Sequence, residues 1–289
     1  MPARVWRALV GLIVLLLVAV VGLDQWQARR GEASLFAVPW LARRSGAPVS
    51  GAEPRRPPVG ETAKPPAHGG PRVAVIVDGM GGRRDVFESV RDLGRPVTVA
   101  LLPALPLAQS IAREALRSGM EVLLDLPMEP YGYPQMDPGP GALLMSMPPE
   151  EIRRLVGRYL EALPGVVGVT NHMGSRLTED RARMRAVLEV LAARRLFLVD
   201  AYTSNLSVAY DEARGLGLRT ARRQIAVDST RGEDGERASW AEVAAWAERR
   251  GEVIVIAHGE PLTARLLREY APRWEARGLR LVRVSELAR

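Results

Sequence analysis

The feature that most constrains the fold of this chain is a set of short apolar runs that each end at a polar residue. Short runs rich in Val, Ile and Leu are typical of buried strands. The runs are residues 73–77 before Asp78, 121–124 before Asp125, 166–170 before Asn171 and His172, 196–199 before Asp200, and 253–257 before His258. Proteins of the α/β class carry their chemistry at the carboxyl ends of parallel strands. The pattern therefore predicts a parallel sheet or barrel with one polar rim.

The segments between these runs have the periodicity of amphipathic helices, because their apolar residues recur every three or four positions. One such stripe follows Pro148 and Pro149 and comprises Ile152, Leu155, Val156, Tyr159, Leu160 and Leu163. Strands are predicted near residues 73, 97, 121, 166, 196, 224, 253 and 280, with crossovers long enough for parallel pairing. The predicted architecture is an α/β fold, a single distorted (β/α) barrel with seven or eight parallel strands.

The first 71 residues differ in composition from the remainder of the chain. Arg4 and Arg7 precede an uncharged run over residues 8–23, which is the layout of a signal sequence or membrane anchor. No small-x-small cleavage site follows directly, so residues 1–27 are predicted to be an uncleaved anchor, with a cleaved secretory signal as the alternative. Residues 28–71, rich in Pro and Gly, are predicted to be a flexible linker, and 72–289 the barrel.

The charge distribution helps to place the chain and to exclude one class of partner. Basic residues ahead of the apolar run favour an extracytoplasmic barrel, in the cell envelope or periplasm, or secreted if the segment is cleaved. Residues 1–71 hold nine basic and four acidic side chains, so the net charge of +7 falls to near neutrality over 72–289. With aromatic residues at 5%, this composition argues against a nucleic-acid partner. The absence of cysteine excludes disulfides and thiolate metal sites.

The strand-end residues are the candidates for chemistry. His172 lies between Gly168 and Gly174, which permit a tight turn that exposes an imidazole, and His258 follows its apolar run in the same way. A lone histidine is usually structural, and an acid at a strand end often caps a helix or braces a loop. On one shared rim, however, carboxylates and imidazoles are the ligands that Zn²⁺ or a similar divalent ion requires.

Two further segments are candidates for a functional role. Residues 126–148 interrupt the alternation with many Pro and Gly residues, and Glu129, Tyr131 and Tyr133 suggest a lid or substrate wall. A rigid surface excursion is the alternative interpretation. The glycine turn after Asp78 lacks the third glycine of the dinucleotide fingerprint and the lysine of a P-loop, which argues against nucleotide binding.

Five segments taken together resemble the divergent polysaccharide deacetylase family, and the likeness covers nearly all of residues 72–289. They are Val-Ile-Val-Asp-Gly-Met-Gly over 75–81, Leu-Asp-Leu-Pro-Met-Glu-Pro over 124–130, Asn-His-Met-Gly-Ser-Arg-Leu-Thr over 171–178, Asp200 with Thr203, and Ala-His-Gly-Glu-Pro over 257–261. The resemblance implies a distorted barrel like that of chitin and peptidoglycan deacetylases. It also implies a polysaccharide or peptidoglycan-type glycan as substrate and a divalent metal, Zn²⁺ being the expected ion.

The chain departs from the family pattern at two positions. The family typically has an Asp-Asp pair where this chain has Asp78 and Gly79, and a histidine where it has Asp125. If the family roles carry over, Asp78 is the base, His172 and Asp125 are metal ligands, and His258 is the acid that protonates the leaving group.

The resemblance implies further site residues and leaves two functions open. Asp200 is predicted to be catalytic, and the predicted substrate-binding residues are Glu129, Tyr131, Asn171 and Ser175. The first function is metal-dependent hydrolysis of N- or O-acetyl groups on an envelope polysaccharide. The alternative is a catalytically degenerate barrel that binds glycan or an envelope protein without chemistry. Gly79 and Asp125 favour this alternative, whereas the retained Asp78, His172 and His258 favour the enzyme.

Overall fold

The computed structural model of the chain describes residues 69–227 and 232–289. In these two ranges the strands are β1 Arg72–Met80, β2 Thr98–Leu101, β3 Glu121–Met128, β4 Gly168–Met173, β5 Phe197–Asp200, β6 Thr220–Arg222, β7 Ile225–Val227, β8 Glu252–His258 and β9 Arg280–Val282. The helices are α1 Arg84–Arg91, α2 Ala108–Arg117, α3 Pro149–Ala162, α4 Arg181–Ala193, α5 Ala209–Gly215, α6 Gly232–Arg250 and α7 Pro261–Ala276, with 3₁₀ turns at Leu177–Glu179 and Val284–Glu286.

The strands form one parallel sheet in the order β6-β5-β4-β3-β2-β1-β8-β7, with β9 added beside β1. The two edge strands, β6 and β7, are consecutive in the chain and joined only by Arg223 and Gln224. Three peptide units reach at most about 11 Å, so the sheet must curve until its edges nearly meet. The connection bonds to both sides, since the Arg223 N–H donates to Asp200 O and the Gln224 N–H to Ile254 O, each at 3.0 Å.

The predicted parallel α/β architecture is therefore confirmed, and the curved sheet is consistent with a distorted barrel. One detail differs from the prediction. The strand predicted near residue 224 is two short strands at opposite edges of the sheet, because the chain crosses from one edge to the other at that point. Helix α3 contains the predicted apolar stripe from Ile152 to Leu160, and Leu163 directly follows its last residue.

Alternation along each strand separates an inner and an outer face of the sheet. In β1, Val73, Val75 and Val77 pack outward against the helices, whereas Ala74 and Ile76 belong to a second, inner cluster. The other inner residues are Ala100, Leu123, Phe197, Val199, Ala201, Ala221, Ile254, Ile256, Val282, Val284, Leu287 and Ala288. The inside of the curved sheet is thus a packed apolar core and not a channel.

Residues 284–289 close the amino ends of the strands. β9 runs beside residues 72–74 of β1, and the chain then turns beneath the barrel. Ser285 N–H donates to Glu121 Oε1 at 3.1 Å, and Thr98 Oγ1 donates to the same oxygen at 3.0 Å. Thr220 and Arg289 exchange two backbone hydrogen bonds of 2.8 and 3.1 Å. Since this end is filled, the carboxyl ends of the strands are left to carry a site.

Several sequence predictions fall on residues outside the described ranges. They concern the anchor over 1–27 and the linker over 28–71 except for its last three residues. Within residues 69–227 and 232–289, no helix combines the length and the apolar character that crossing a bilayer requires.

Candidate metal centre

Four of the predicted site residues meet at the carboxyl ends of β1, β3, β4 and β8. The inner-facing positions of β1 are Ala74 and Ile76, and the next position in that alternation is Asp78. The same period of two carries β8 from Ile256 to His258, which is the register partner of Asp78. Asp125 continues the inner face of β3, and His172 that of β4, whose register partner in β3 is Pro127.

Asp78 is the centre of the cluster, because each of its oxygens faces a different histidine. His258 Nδ1 lies 2.8 Å from Asp78 Oδ1, and His172 Nδ1 lies 3.8 Å from Asp78 Oδ2. The two imidazole rings stack with centroids 5.3 Å apart and planes 22° apart. Asp78 and His172 are buried, whereas 47% of the His258 side chain is exposed. His258 is therefore the member of the cluster that meets solvent or a ligand.

Asp125 lies behind the histidines and is completely buried. Its Oδ2 accepts the Gly79 N–H at 2.8 Å and lies 3.3 Å from His172 Nδ1. Its other oxygen, Oδ1, is buried and has no hydrogen-bond partner. The side chain thus contacts the cluster from the interior of the protein and not from the mouth.

Gly79 is required by the close packing at the end of β1. Its φ of +66° lies in the left-handed region, which side chains disfavour. A Cβ at this position would lie 3.1 Å from His258 Cε1 and 3.2 Å from His258 Nε2. The imidazole of His258 therefore occupies the space beside residue 79 that a second acidic side chain would need.

The charges in the cluster are strongly coupled. Burial alone would raise the pKa of Asp78, but its contacts with the two histidines outweigh burial and lower the pKa to about 2. Burial would lower the pKa of His172, but Asp125 and Asp78 raise that pKa to about 10. The contact with Asp78 raises the pKa of His258, and burial raises the pKa of Asp125. The cluster thus places a buried carboxylate between two imidazoles whose protonated forms it favours.

The residues present fit a divalent cation. Asp78, His172 and His258 each offer one ligand atom, and these atoms all lie within 4.8 Å of one another. Two imidazole nitrogens and a carboxylate oxygen are ligands typical of Zn²⁺ and of Fe²⁺-type sites. Asp125, predicted as a ligand, lies outside this set of three.

Asp200 is not brought into the cluster. Its neighbour Val199 belongs to the inner cluster, so Asp200 faces outward toward the helices. There it accepts hydrogen bonds from the Tyr202 N–H at 2.8 Å and from Ser207 Oγ at 3.0 Å, and it lies 3.7 Å from Arg222 Nε. Burial raises its pKa. Asp200, which is predicted to be catalytic, therefore braces the loop after β5, because the pleat turns its side chain away from the site.

Asn171 and Ser175 flank His172 but bind the protein itself. Asn171 Oδ1 accepts the Ala201 N–H at 2.8 Å, and its amide donates to Met173 O at 2.7 Å. Ser175 Oγ accepts the Tyr131 N–H at 3.2 Å. The contacts of Asn171 hold the ends of β4 and β5 together, and its contact with substrate stays a prediction.

The loop after β3 is tied to the loops after β4 and β5. Glu129 is buried, and it accepts from Arg176 Nη1 at 2.8 Å and from the Met145 N–H at 2.7 Å, so it anchors both ends of the loop. The Tyr131 hydroxyl donates to Glu179, which also accepts from Ser204 Oγ. These contacts join the three loops into one wall, in which Tyr131 is 62% exposed. Sequence reasoning missed Glu179 and Arg176, because only their long-range contacts distinguish them from surface charges.

Comparisons with known proteins agree with this fold. Residues 75–288 match the family model described as divergent polysaccharide deacetylase. The chain is 30% identical over 198 residues to the uncharacterized protein YibQ of Escherichia coli K12, an alignment that covers 68% of this chain and 61% of that protein. An uncharacterized protein of Haemophilus influenzae is 26% identical over 196 residues, with 68% of this chain and 69% of that protein covered.

Among solved structures, the uncharacterized protein ATU2773 of Agrobacterium tumefaciens C58 is similar to this chain. The TM-score is 0.72 at 25% sequence identity, and the superposition covers 78% of this chain and 93% of that one. The shared architecture thus extends over almost the whole of that protein.

Proposed function

This chain belongs to the divergent polysaccharide deacetylase family, and we propose that it is a metal-dependent deacetylase that removes N- or O-acetyl groups from a polysaccharide. One observation carries the proposal. Asp78, His172 and His258 come from three strands, yet their ligand atoms lie within 4.8 Å of one another at the open end of the barrel. Buried, strongly coupled titratable groups in such a place are typical of catalytic sites.

We propose that Asp78, His172 and His258 together hold the cation. Catalytic zinc sites use three protein ligands and keep one position open, and this set supplies that number. A divalent cation bound there would supply Lewis acidity, which lowers the pKa of a water molecule and polarises an acetyl carbonyl. In this arrangement both histidines would serve as ligands, and the role of acid that the resemblance implies for His258 stays a prediction.

Proton transfer falls to Asp78 in this arrangement. A carboxylate that binds through one oxygen keeps a second oxygen, which is able to accept a proton from the attacking water. The same carboxyl group would then pass that proton on to the leaving amine or alkoxide. Asp125 is fully buried and held by Gly79 and His172, so it does not reach a substrate.

The wall beside the cluster suits a glycan. Tyr131 exposes most of its side chain while its hydroxyl is held by Glu179, so the ring is presented in a fixed orientation. Aromatic rings held in this way offer an apolar face against which a sugar ring packs. We propose that the substrate is a peptidoglycan-type or other envelope polysaccharide, and that the predicted N-terminal anchor holds the barrel at the membrane on its extracytoplasmic side.

Acetate release from acetylated chito-oligosaccharides tests the proposal. The full-length protein is stripped with a chelator and reloaded with Zn²⁺, and O-acetylated xylan is assayed in parallel to distinguish amide from ester hydrolysis. We expect release that disappears with the chelator, returns with Zn²⁺, and is lost in Asp78→Asn and His172→Ala. Unchanged activity in both variants refutes the assignment.

A second candidate function is glycan binding without chemistry, and Gly79 favours it. The position that typically carries a second acid has no side chain here, and the His258 ring fills the space beside it. Glycan binding by wild type, with no acetate release under any metal loading, would support this function over the first. A matched comparison is the dissociation constant for deacetylated oligosaccharide. A barrel that only binds glycan would hold the deacetylated and acetylated forms equally tightly.

A further inference from the structure

We infer that Asp125 is a positioning residue that holds both imidazoles of the cluster in place and is not itself a ligand of the cation. What the imidazoles do once they are placed rests on the proposed function. How they are held follows from contacts that do not depend on a metal. The positioning role of Asp125 and the proposed function can therefore be tested separately.

The first contact is with His172. Asp125 Oδ2 lies 3.3 Å from His172 Nδ1, on the side of the ring that faces the protein interior. A carboxylate that engages one nitrogen of a histidine fixes the orientation of the ring and leaves the other nitrogen for a cation. Such outer partners of metal ligands raise the basicity of the imidazole as well as orienting it.

The second contact reaches His258 through the backbone. Asp125 Oδ2 also accepts the Gly79 N–H at 2.8 Å, and Gly79 is the residue against which the His258 ring packs. Asp78, which bonds His258 Nδ1, directly precedes Gly79 in the chain. One carboxylate oxygen thus supports His172 directly and the turn beneath His258 indirectly. Asp125 lies behind both rings and is fully buried. It is therefore placed to support the rings and not to contact substrate.

Glu236 in α6 is a matched control for this role. It is also completely buried, with Oε1 engaged by Thr263 Oγ1 at 2.9 Å and by Trp240 Nε1 at 3.3 Å, while Oε2 has no hydrogen-bond partner. Its contacts join α6 to α7 and involve neither histidine. Replacing either acid by its amide exchanges one carboxyl oxygen for an NH₂ group and preserves the shape of the side chain.

Titration of the stripped full-length protein with Co²⁺ measures the effect on the cation site. We expect Asp125→Asn to weaken Co²⁺ binding about 10- to 100-fold, as loss of an outer partner does, and to shift the visible spectrum of the bound ion. Glu236→Gln should leave both unchanged. Unchanged affinity and spectrum in Asp125→Asn overturn the inference. So does a spectrum showing one ligand fewer with affinity lost beyond that range, because Asp125 would then be a ligand.

Hydrogen exchange in the metal-free protein tests the positioning role without any cation or activity. We expect exchange of the Gly79 amide to accelerate at least about tenfold in Asp125→Ala, because its acceptor is lost, and to stay unchanged in Glu236→Gln. If Asp125→Ala does not fold, Asp125→Asn replaces it, and a several-fold acceleration is expected because a neutral oxygen is a weaker acceptor. Unchanged Gly79 exchange overturns the inference. If wild type binds no Co²⁺ while Asp125→Ala still accelerates exchange of the Gly79 amide, only the proposed function is contradicted.

Discussion

Two buried carboxylates on one strand show how the two ends of this barrel differ. Glu121 and Asp125 both lie on the inner face of β3, separated by Leu123. Glu121 Oε1 accepts two hydrogen bonds, from Thr98 Oγ1 and the Ser285 N–H, at the end that residues 284–289 close. Asp125 has one oxygen without a partner and lies beside His172 at the open end.

The difference shows that burial alone does not mark a functional acid. At the closed end Glu121, Thr98 and Ser285 satisfy one another, so their contribution is to stability. At the open end the polar groups are crowded, coupled and partly unpartnered, a state that costs stability and is tolerated where an ion or substrate completes the arrangement. Substitutions at the two ends should therefore separate effects on metal binding from effects on folding.

The largest effect is expected for His172→Ala. Removing a ligand should weaken binding of the cation by more than the roughly 100-fold that loss of an outer partner causes. Deacetylation should fall to background. Metal content after dialysis and the rate of acetate release measure the two effects. Glu121→Gln is the matched variant at the closed end and should retain wild-type metal content. A His172→Ala protein with full metal content contradicts the ligand assignment.

The affinity for a divalent cation is expected to rise with pH. His172, with its pKa raised to about 10, holds a proton at neutral pH that a cation must displace. Each displaced proton changes the apparent affinity about tenfold per pH unit. Co²⁺ titrations from about pH 6 to about pH 9 give the slope, and a flat profile would contradict the prediction.

The stability of the metal-free protein should respond to pH in the opposite direction. The folded pKa of His172 is raised from 6.5 to about 10, so its contribution is full below pH 6.5 and lost as pH rises toward 10. The folded pKa of Asp78 is lowered from 3.8 to about 2, so its contribution is present above pH 3.8 and lost as pH falls toward 2. Urea unfolding across this range should show a loss of stability at high pH, and that loss should be smaller in His172→Ala.

At the closed end, Glu121→Ala should destabilise the protein without weakening metal binding. The change leaves Thr98 Oγ1 and the Ser285 N–H without their acceptor, which costs about 1–3 kcal/mol in the free energy of unfolding. Urea unfolding measures the loss, and Co²⁺ titration of the folded variant checks the metal site. Weakened Co²⁺ binding in the folded variant would show that the two ends are coupled, against the separation argued above.

The smallest effect is expected at the wall beside the cluster. Tyr131→Ala removes an exposed ring, and a packing contribution of about 1 kcal/mol corresponds to roughly a fivefold rise in KM for an oligosaccharide. Tyr131→Phe keeps the ring and should stay close to wild type, since surface changes are usually within about 0.5 kcal/mol. Equal KM values for all three proteins would remove Tyr131 from the substrate-binding residues.

Much of the fold and part of the site could be predicted from the order of residues. Short apolar runs with polar ends predict parallel strands, and the shared direction of those strands predicts one polar rim. Asp78, Asp125, His172 and His258 meet there for that reason. Their catalytic and ligand roles remain predictions, which the experiments above test.

Other features depend on contacts that no local pattern encodes. Asp200 follows its apolar run as Asp78 does, but it lies one step out of phase with the inner face, which only the assembled sheet reveals. The crossing from β6 to β7 and the closure by residues 284–289 depend on where distant edges of the sheet meet.

By itself, the sequence determined the alternation of strands and helices and the residue types available at the strand ends, because these follow from periodicity and local geometry. The tertiary structure alone decided which of those residues share a site. That choice depends on the face of the pleat each side chain occupies and on the register between strands far apart in the chain. Those two quantities place Asp78 opposite His258, put Asp125 behind His172, and turn Asp200 away.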